Sequence, residues 1–330
     1  DMPHINQFNL LNRWKYESDD IGAQFYVRAF MEAREGGTID NAPVNYDVEI
    51  DNRLIEFSSK TGIRIPEKEG KSIGLQTSFR IHEMDAQYGD KLFQGLQKSA
   101  HFNLVGQTFF TKDKDKLFYG ASFYSDDFNN RLDKLNLASG TGDSVIALWD
   151  SMNLYEEKRQ DVIPGIYSEY TYFHNEVFTL VAGLRADYYN VTEKLYALPR
   201  LSLKYNPGES TAIRLSGGRS LRVSNFLTDN ISLLASNRDI SIAKNLLPEV
   251  AWNYGVNLTH CFYLNNREGT FNIDFYRTYF ENQIVVDIED QGILTFTNLS
   301  DIPNHSSFSN SIQFDLSYEL FNRFDVKLAY

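Results

Sequence analysis

The segment FTLVAGLRADYY, which runs from Phe178 to Tyr189, decides the fold class because its side chains alternate between two kinds. One set is apolar or aromatic and consists of Phe178, Leu180, Ala182, Leu184, Ala186 and Tyr188. The other set includes the charged residues Arg185 and Asp187. A period of two is the pattern of a β-strand with two different faces. The segment also reaches the length of about 9–11 residues that a tilted membrane-spanning strand needs, beyond the usual soluble strand of about 5–6. It therefore predicts a strand of a transmembrane β-barrel, with lipid on one face and a polar lumen on the other.

The same alternation recurs along the whole chain and predicts about fourteen antiparallel strands. The apolar face often ends in an aromatic residue, such as Phe262 or Tyr318, as the aromatic girdles of such barrels require. The predicted strands cover residues 8–16, 21–33, 46–59, 72–83, 100–111, 116–125, 162–173, 177–189, 197–206, 211–218, 250–263, 269–280, 307–320 and 324–330. This set is too large for one ordinary open sheet and suits a wide barrel.

The connections between these strands alternate in length. Short polar joins are predicted at residues 17–20, 112–115, 174–176, 206–210 and 265–269, and long loops at 34–45, 84–99, 126–161, 219–249 and 281–306. Two joins, near 190–195 and 61–70, break this rule. Outer-membrane barrels have short periplasmic turns and long extracellular loops, whereas a soluble sandwich has no reason for the asymmetry. A propeller would require a repeated blade motif, which the sequence lacks.

Composition narrows the function classes. The formal net charge of -12 disfavours a nucleic-acid partner, which would need a basic stripe, and it argues against a strongly anionic ligand. The only cysteine is Cys261, so the chain can form neither an internal disulfide nor a thiolate metal cluster. The histidines show no metal-binding spacing and the chain has no nucleophile or phosphate-binding motif, so we expect no enzyme, metal or cofactor. No apolar run is long enough for a membrane helix.

Four segments of the second half resemble a specific family. They are PRLSLKYNP (199–207), TAIRLSGGRSLR (211–222), LPEVAWNYGVNL (247–258) and FNIDFYRTYFENQIVVD (271–287). These segments resemble the barrel of TonB-dependent outer-membrane receptors, especially those of Bacteroidetes-type bacteria. Such receptors have a signal peptide, a TonB-contacting box, a globular plug and a barrel of about 22 strands. The resemblance implies that residues 1–330 are an incomplete barrel domain, with the plug, the box and the terminal strands outside the sequence.

The resemblance also implies a function. Such a receptor takes up a scarce nutrient across the outer membrane of a Gram-negative bacterium, and the most plausible ligand is a ferric siderophore or a similar metal chelate. Its partners would be the TonB complex, the small-molecule or chelate ligand, and the lipid bilayer with its lipopolysaccharide. Two alternatives stay open: a passive channel or surface-binding barrel without energy coupling, and a membrane-embedded hydrolase. The hydrolase would need a Ser/His/Asp cluster, which the spacing does not offer.

Candidate ligand-binding residues follow from the alternation and from the loops. Charged residues on the polar strand faces should line the lumen; they are Arg28, Arg80, Arg185, Asp187, Arg214 and Asp274. The predicted loop at 219–249 adds Arg219, Arg222 and Asn225, and exposed loops often carry binding residues. The competing interpretation is structural, because lumen charges can pair with one another or hold a plug.

Overall fold

Fourteen strands form one antiparallel sheet, in which each strand pairs with its neighbours in chain order. The computed structural model describes residues 3–38, 46–65, 70–110, 115–135, 151–236, 238–304 and 306–330, and only the backbone of 151–153. The strands of the large sheet are β1 (His4–Glu17), β2 (Ile21–Gly37), β3 (Asp47–Arg64), β4 (Ser72–Tyr88), β5 (Lys91–Phe110), β6 (Asp115–Leu135), β7 (Ser151–His174), β8 (Phe178–Tyr189), β9 (Lys194–Gly208), β10 (Thr211–Arg222), β12 (Glu249–Leu264), β13 (Arg267–Asn282), β16 (Ser307–Phe321) and β17 (Phe324–Ala329). The predicted all-β class and the fourteen strands are confirmed.

Three further strands, numbered in chain order with the others, form a second sheet that the sequence did not predict. It consists of β11 (Asp239–Ile242), β14 (Ile284–Asp287) and β15 (Ile293–Asn298), with β11 parallel to β15 and β14 antiparallel to it. These strands come from the two longest described connections, β10 to β12 and β13 to β16. The same connections contain the short helix α1 (Phe226–Asp229) and two 3₁₀ turns. No helix among the residues described has the length and apolar character to cross a membrane.

The strands on the long-loop side run further than predicted. Strands β4 and β5 continue to a tight hairpin at Gly89-Asp90, where Gly89 has a φ of +59°, so the predicted loop at 84–99 is wrong. Strand β6 extends to Leu135 and β7 begins at Ser151, so most of the predicted loop at 126–161 is also strand. Residues 136–150 lie outside the described part, as do 39–45 of the predicted loop at 34–45. The predicted loops after β10 and β13 are confirmed as long connections, although their structure is regular.

A belt of exposed apolar side chains covers one face of the sheet. On β4 it runs from Ile73 to Ile81, which is 52% exposed, and the next outward residues are Glu83 and Asp85. Alternation places side chains of the other parity on the opposite, polar face. The belt therefore marks the lipid-facing height, and the strand ends beyond it form a wall above the membrane. We call the end with the long connections the outer end.

Short turns close the opposite end. The turn between β12 and β13 is Asn265-Asn266, with φ values of 52° and 59°. Two successive left-handed residues form the type I′ hairpin, which asparagine tolerates and which matches the strand twist. Next to this turn, Phe262 and Tyr318 stack with ring centroids 6.2 Å apart. This pair occupies the girdle position predicted for it.

The main apolar core lies above the membrane rather than inside a soluble sandwich. We call residues 223–236, 238–248 and 283–304 the cap. Its side chains pack against the polar-face side of the extended strands β3 to β7. The buried members are Phe226, Leu227, Leu234, Leu294 and Phe296 from the cap, and Ala86, Tyr88, Phe93 and Leu132 from the wall. Phe226 is central, since its ring lies 5.4 Å from that of Phe296 and 5.7 Å from that of Tyr155.

Candidate functional site

The six charged strand residues predicted to face the lumen all fall on the face opposite the apolar belt. Strand register gives Arg28, Arg80, Arg185, Asp187, Arg214 and Asp274 the parity of that polar face. Several belong to local networks rather than to one site. Arg80 lies 3.5 Å from Glu56, and Arg28 lies over the ring of Phe30. These contacts support the structural interpretation for those two residues.

A second network joins Arg214 to Asp274 through an asparagine. The Arg214 Nη1 donates to Asn257 Oδ1 over 2.8 Å, and the Asn257 Nδ2 donates to Asp274 Oδ1 over 2.8 Å. Asn272 also donates to the Asp274 carboxylate, over 2.6 Å. These side chains form hydrogen bonds with one another across three strands. The network therefore stabilises the strand arrangement and leaves few donors for a ligand.

Arg185 and Asp187 instead line a cavity of about 760 Å³ in the lumen wall. The Arg185 Nε donates to Asp187 Oδ2 over 2.7 Å, and its Nη2 donates to Ser122 Oγ over 2.7 Å. Its guanidinium also lies over the Tyr167 ring, 5.8 Å from the centroid. Three contacts on different strands thus hold the guanidinium, which stays 37% exposed toward the lumen. A fixed and accessible guanidinium is a preorganised anion-binding group.

A second arginine reaches the same cavity and was missed in the sequence. Arg200 on β9 pairs with Glu169 on β7, and its side chain stays 67% exposed. Leu201 and Leu203 on the same strand belong to the outward face, so alternation alone could have placed Arg200 inward. The lumen residues predicted from alternation come from β2, β4, β8, β10 and β13 and include none from β9.

Two glycines make room for these charged side chains. A Cβ on Gly165 would lie 2.0 Å from Asp187 Oδ1, and one on Gly183 would lie 3.0 Å from Arg200 Cγ. Asp187 is only 5% exposed, and its Oδ1 lacks a hydrogen-bond partner among the described residues. Asp187 therefore packs on the Gly165 backbone and positions Arg185, while it also lines the cavity.

The three residues predicted in the loop after β10 need correction. Arg219 and Arg222 belong to β10, because strand pairing continues past the belt. Arg219 has the strand parity of Leu215, but it is also among the residues that line the cavity of Arg185. It forms two hydrogen bonds with Glu281, of 2.9 and 2.6 Å. Arg222 pairs with Glu249 and Asp229. Asn225 does lie in the connection, where its Oδ1 accepts from Asn130 Nδ2 over 3.4 Å at the base of the cap.

A charged network anchors the cap to the wall. Arg159 on β7 donates to Glu157, to Asp161 and to the Ser224 backbone oxygen, over 2.7, 3.1 and 3.2 Å. Its outward neighbours Lys158 and Gln160 are polar, so it stands above the belt. Burial alone would lower the pKa of Arg159, but the two carboxylates outweigh burial and raise it. The guanidinium therefore stays charged and ties the cap to β7.

A buried lysine lies at the top of the wall. Lys91 begins β5, is 1% exposed, and donates to the Ser236 backbone oxygen. Beside it, the Tyr46 hydroxyl donates to the Ala235 oxygen over 2.8 Å. Burial lowers the pKa of Lys91, although Asp90 and Asp239 oppose that shift. The cap is thus held by an apolar core with polar contacts around it.

The family follows from a comparison with known families. The model of the TonB dependent receptor-like β-barrel matches residues 6–330. The chain belongs to the TonB-dependent receptor β-barrel family. This family consists of outer-membrane receptors and transporters rather than enzymes. The Bacteroidetes-type subgroup stays a prediction.

Solved structures agree with this receptor barrel in fold. Similar ones are the copper transporter OprC (TM-score 0.69, 12% identity, 98% of this chain and 51% of that chain) and Pseudomonas aeruginosa FpvA with bound pyoverdines (0.65, 13%, 99% and 50%). A third is the alcaligin receptor FauA from Bordetella pertussis (0.61, 11%, 99% and 52%). The chain spans about half the length of these structures. A search of curated proteins finds no match.

The described side chains contain no group of three or more His, Cys, Asp or Glu residues placed to hold a metal ion. The polar face of the sheet carries hydrogen-bonding and charged side chains. The cavity with Arg185 and Arg200 concentrates both at one place in the lumen wall.

Proposed function

We propose that this receptor barrel takes up a scarce metal chelate, such as a ferric siderophore, across the outer membrane by TonB-dependent transport. The cavity that Arg185 and Arg200 line below the cap supports this proposal best. Arg185 is fixed by Asp187 and Ser122, and Arg200 is only partly neutralised by Glu169, so both keep donors free toward the lumen. Carboxylate, phenolate or hydroxamate oxygens of a chelate would accept from them.

The net charge of -12 disfavours a strongly anionic ligand for the chain as a whole, but it does not decide recognition in one cavity. Recognition depends on local charge, and Arg185, Arg200 and Arg219 all line the cavity. The cavity volume of about 760 Å³ falls in the range of small-molecule sites, about 300–1,000 Å³. A compact chelate of that size would contact Tyr167 as well as the arginines.

Energy coupling would come from parts of the protein outside this chain. We propose that a plug and a TonB-contacting segment occupy the lumen and the periplasmic side, and that further strands complete the barrel. Strands β1 and β17 each pair on one side only within the described chain. Open strand edges are not tolerated in hydrocarbon, because their backbone groups would lack partners. Among the similar structures, one is a copper transporter, one is a receptor bound to pyoverdines and one is an alcaligin receptor, which supports a metal-chelate ligand here.

Uptake by intact cells tests the proposal. A strain that lacks the full-length gene, and the same strain complemented with it, would receive radiolabelled iron as tricarboxylate, trihydroxamate or tricatecholate complexes, with cobalamin and an oligosaccharide as comparison ligands. We expect complementation to restore uptake of one iron complex, and a protonophore to abolish it. Uptake that resists the protonophore would favour the passive channel. Restoration of none of the iron complexes would refute the proposed ligand class.

A further inference from the structure

A group of aromatic residues surrounds an arginine on the lipid-facing side of β12, β13 and β16. We call Trp252, Tyr254, Arg277, Tyr279 and Phe308 the girdle patch. Strand register places Arg277 between Tyr254 and Asn310, and Tyr279 between Trp252 and Phe308. The rings of Trp252 and Tyr254 stack with centroids 6.2 Å apart. The patch is therefore one continuous surface across three strands.

This surface belongs to the apolar belt and not to the lumen. Arg277 lies two residues after Phe275 on β13, so both side chains are on the same face of the sheet. Their partners on β12, Tyr254 and Val256, are on that face too. Phe275 and Val256 are 39% and 47% exposed, as lipid-facing residues are. Bulky Trp and Tyr residues at this height mark the outer membrane–water interface.

Arg277 has no carboxylate partner among the described residues. Its guanidinium lies over the Phe308 ring, 4.5 Å from the centroid. The nearest acidic residue on this face along β13, Glu281, already accepts two hydrogen bonds from Arg219 and one of 2.8 Å from the Trp252 indole. Arg277 thus carries a positive charge on the lipid-facing surface that no carboxylate of the described residues neutralises.

An arginine facing lipid is costly unless it reaches the interface or pairs with an anion. At this height the anions outside the protein are the phosphate groups of the outer leaflet. A planar guanidinium donates two parallel hydrogen bonds to phosphate oxygens, and the Phe308 ring below it limits its orientations. The Tyr254 hydroxyl and the Asn310 amide flank it as further polar groups.

We propose that the girdle patch binds a phosphate group of an outer-leaflet lipid, with Arg277 as the anion-binding residue. This site is separate from the lumen cavity and does not depend on the proposed uptake function. Lipid on the patch would fix the orientation of the barrel wall in the bilayer, close to where Arg219 and Glu281 join β10 to β13.

Native mass spectrometry of the full-length protein in detergent tests the site. The probes are bisphosphorylated lipid A and the same lipid after removal of its phosphates. We expect the wild type to retain the phosphorylated lipid, Arg277→Gln to bind it about tenfold more weakly, and Arg277→Lys to recover part of that loss. Arg214→Gln, which removes a lumen arginine, serves as the matched control and should bind like the wild type.

Heat-modifiable gel mobility would confirm that each variant is folded, and only folded protein is compared. Equal binding of the phosphorylated and dephosphorylated lipids would overturn the proposal, as would equal losses in Arg277→Gln and Arg214→Gln. Inorganic phosphate at millimolar concentration should fail to displace the lipid. Displacement would mean that the patch takes free phosphate and is not a lipid site.

Discussion

The cap core and the lumen cavity differ in the polarity and exposure of the side chains that form them. The cap core consists of apolar side chains that are nearly inaccessible, such as Phe226, Leu294 and Phe296, each 1% exposed. The cavity wall consists of ion pairs in which Arg185 and Arg200 remain 37% and 67% exposed. Apolar packing stabilises the cap against the wall, whereas the half-exposed pairs leave donors for a ligand. Substitutions in the two regions should therefore separate stability from binding.

The largest effect is expected in the cap core. Phe296→Ala leaves a cavity beside Phe226 and should destabilise the docked cap by about 3–5 kcal/mol. Hydrogen exchange of the β15 amides in the full-length protein measures this loss. Ile288→Ala, at a cap position that is 53% exposed, is the control and should change the exchange little. Similar exchange in both variants would mean that the core does not hold the cap.

The next effect concerns binding rather than stability. Arg185→Gln removes a charged donor from the cavity and should weaken binding of an anionic ferric complex by about 1.5–3 kcal/mol. Equilibrium binding to the purified full-length protein measures it. Arg214→Gln, whose guanidinium is bound to Asn257, should leave the affinity within a few tenths of a kcal/mol. Equal losses would indicate a general charge effect instead of a site.

Substitution of Gly165 should change both ligand affinity and stability. Gly165→Ala places a Cβ 2.0 Å from Asp187 Oδ1, so Asp187 and with it Arg185 must move, at a cost of about 1–3 kcal/mol. Both ligand affinity and thermal stability should fall. Gly22→Ala is the matched control, since a Cβ there has no atom within 4 Å. Unchanged affinity in Gly165→Ala would show that Asp187 does not position Arg185.

The smallest effect is the pH dependence of the cap. Burial lowers the pKa of Lys91 while Asp90 and Asp239 partly restore it, so between the lowered value and the unfolded value of about 10.4 the opened state binds more protons. Docking of the cap should therefore become more stable as pH rises through the lowered pKa of Lys91 toward about 10.4. The difference between wild type and Lys91→Met in hydrogen exchange isolates this group. A pH-independent difference would contradict the burial of a charged Lys91.

Much of the sheet could be predicted from the sequence, because lipid on one side and water on the other impose alternation. The alternation of outward apolar and inward polar side chains ends above the belt. In residues 84–99 the apolar side chains Met84, Ala86, Tyr88 and Phe93 lie on the face opposite the belt and pack against the cap, whereas most outward side chains are polar. The extension of β4 and β5 therefore looked like a loop, although the backbone pairing continues. The charged lumen residues on β8 follow from the same parity, and so does Arg200 on β9, which the prediction omitted.

The cap could not be predicted in this way. Its sheet pairs β11 with β15, which lie about fifty residues apart in the chain, and its core joins Phe226 to Phe93 and Leu132 on distant strands. Such contacts depend on packing between elements and leave no local periodicity. For the same reason the three contacts that hold Arg185 became visible only in the structure.

Uptake of two ferric complexes of different charge tests the central claim most directly. Cells that carry the full-length protein, its Arg185→Gln/Arg200→Gln double variant or the Arg214→Gln control would receive iron as an anionic tricarboxylate or an uncharged trihydroxamate complex. We expect the double variant to lose uptake of the anionic complex by at least tenfold, while the control retains it. Undiminished uptake of the anionic complex by the double variant, or no uptake of it by the wild type, would contradict a ligand site at these two arginines.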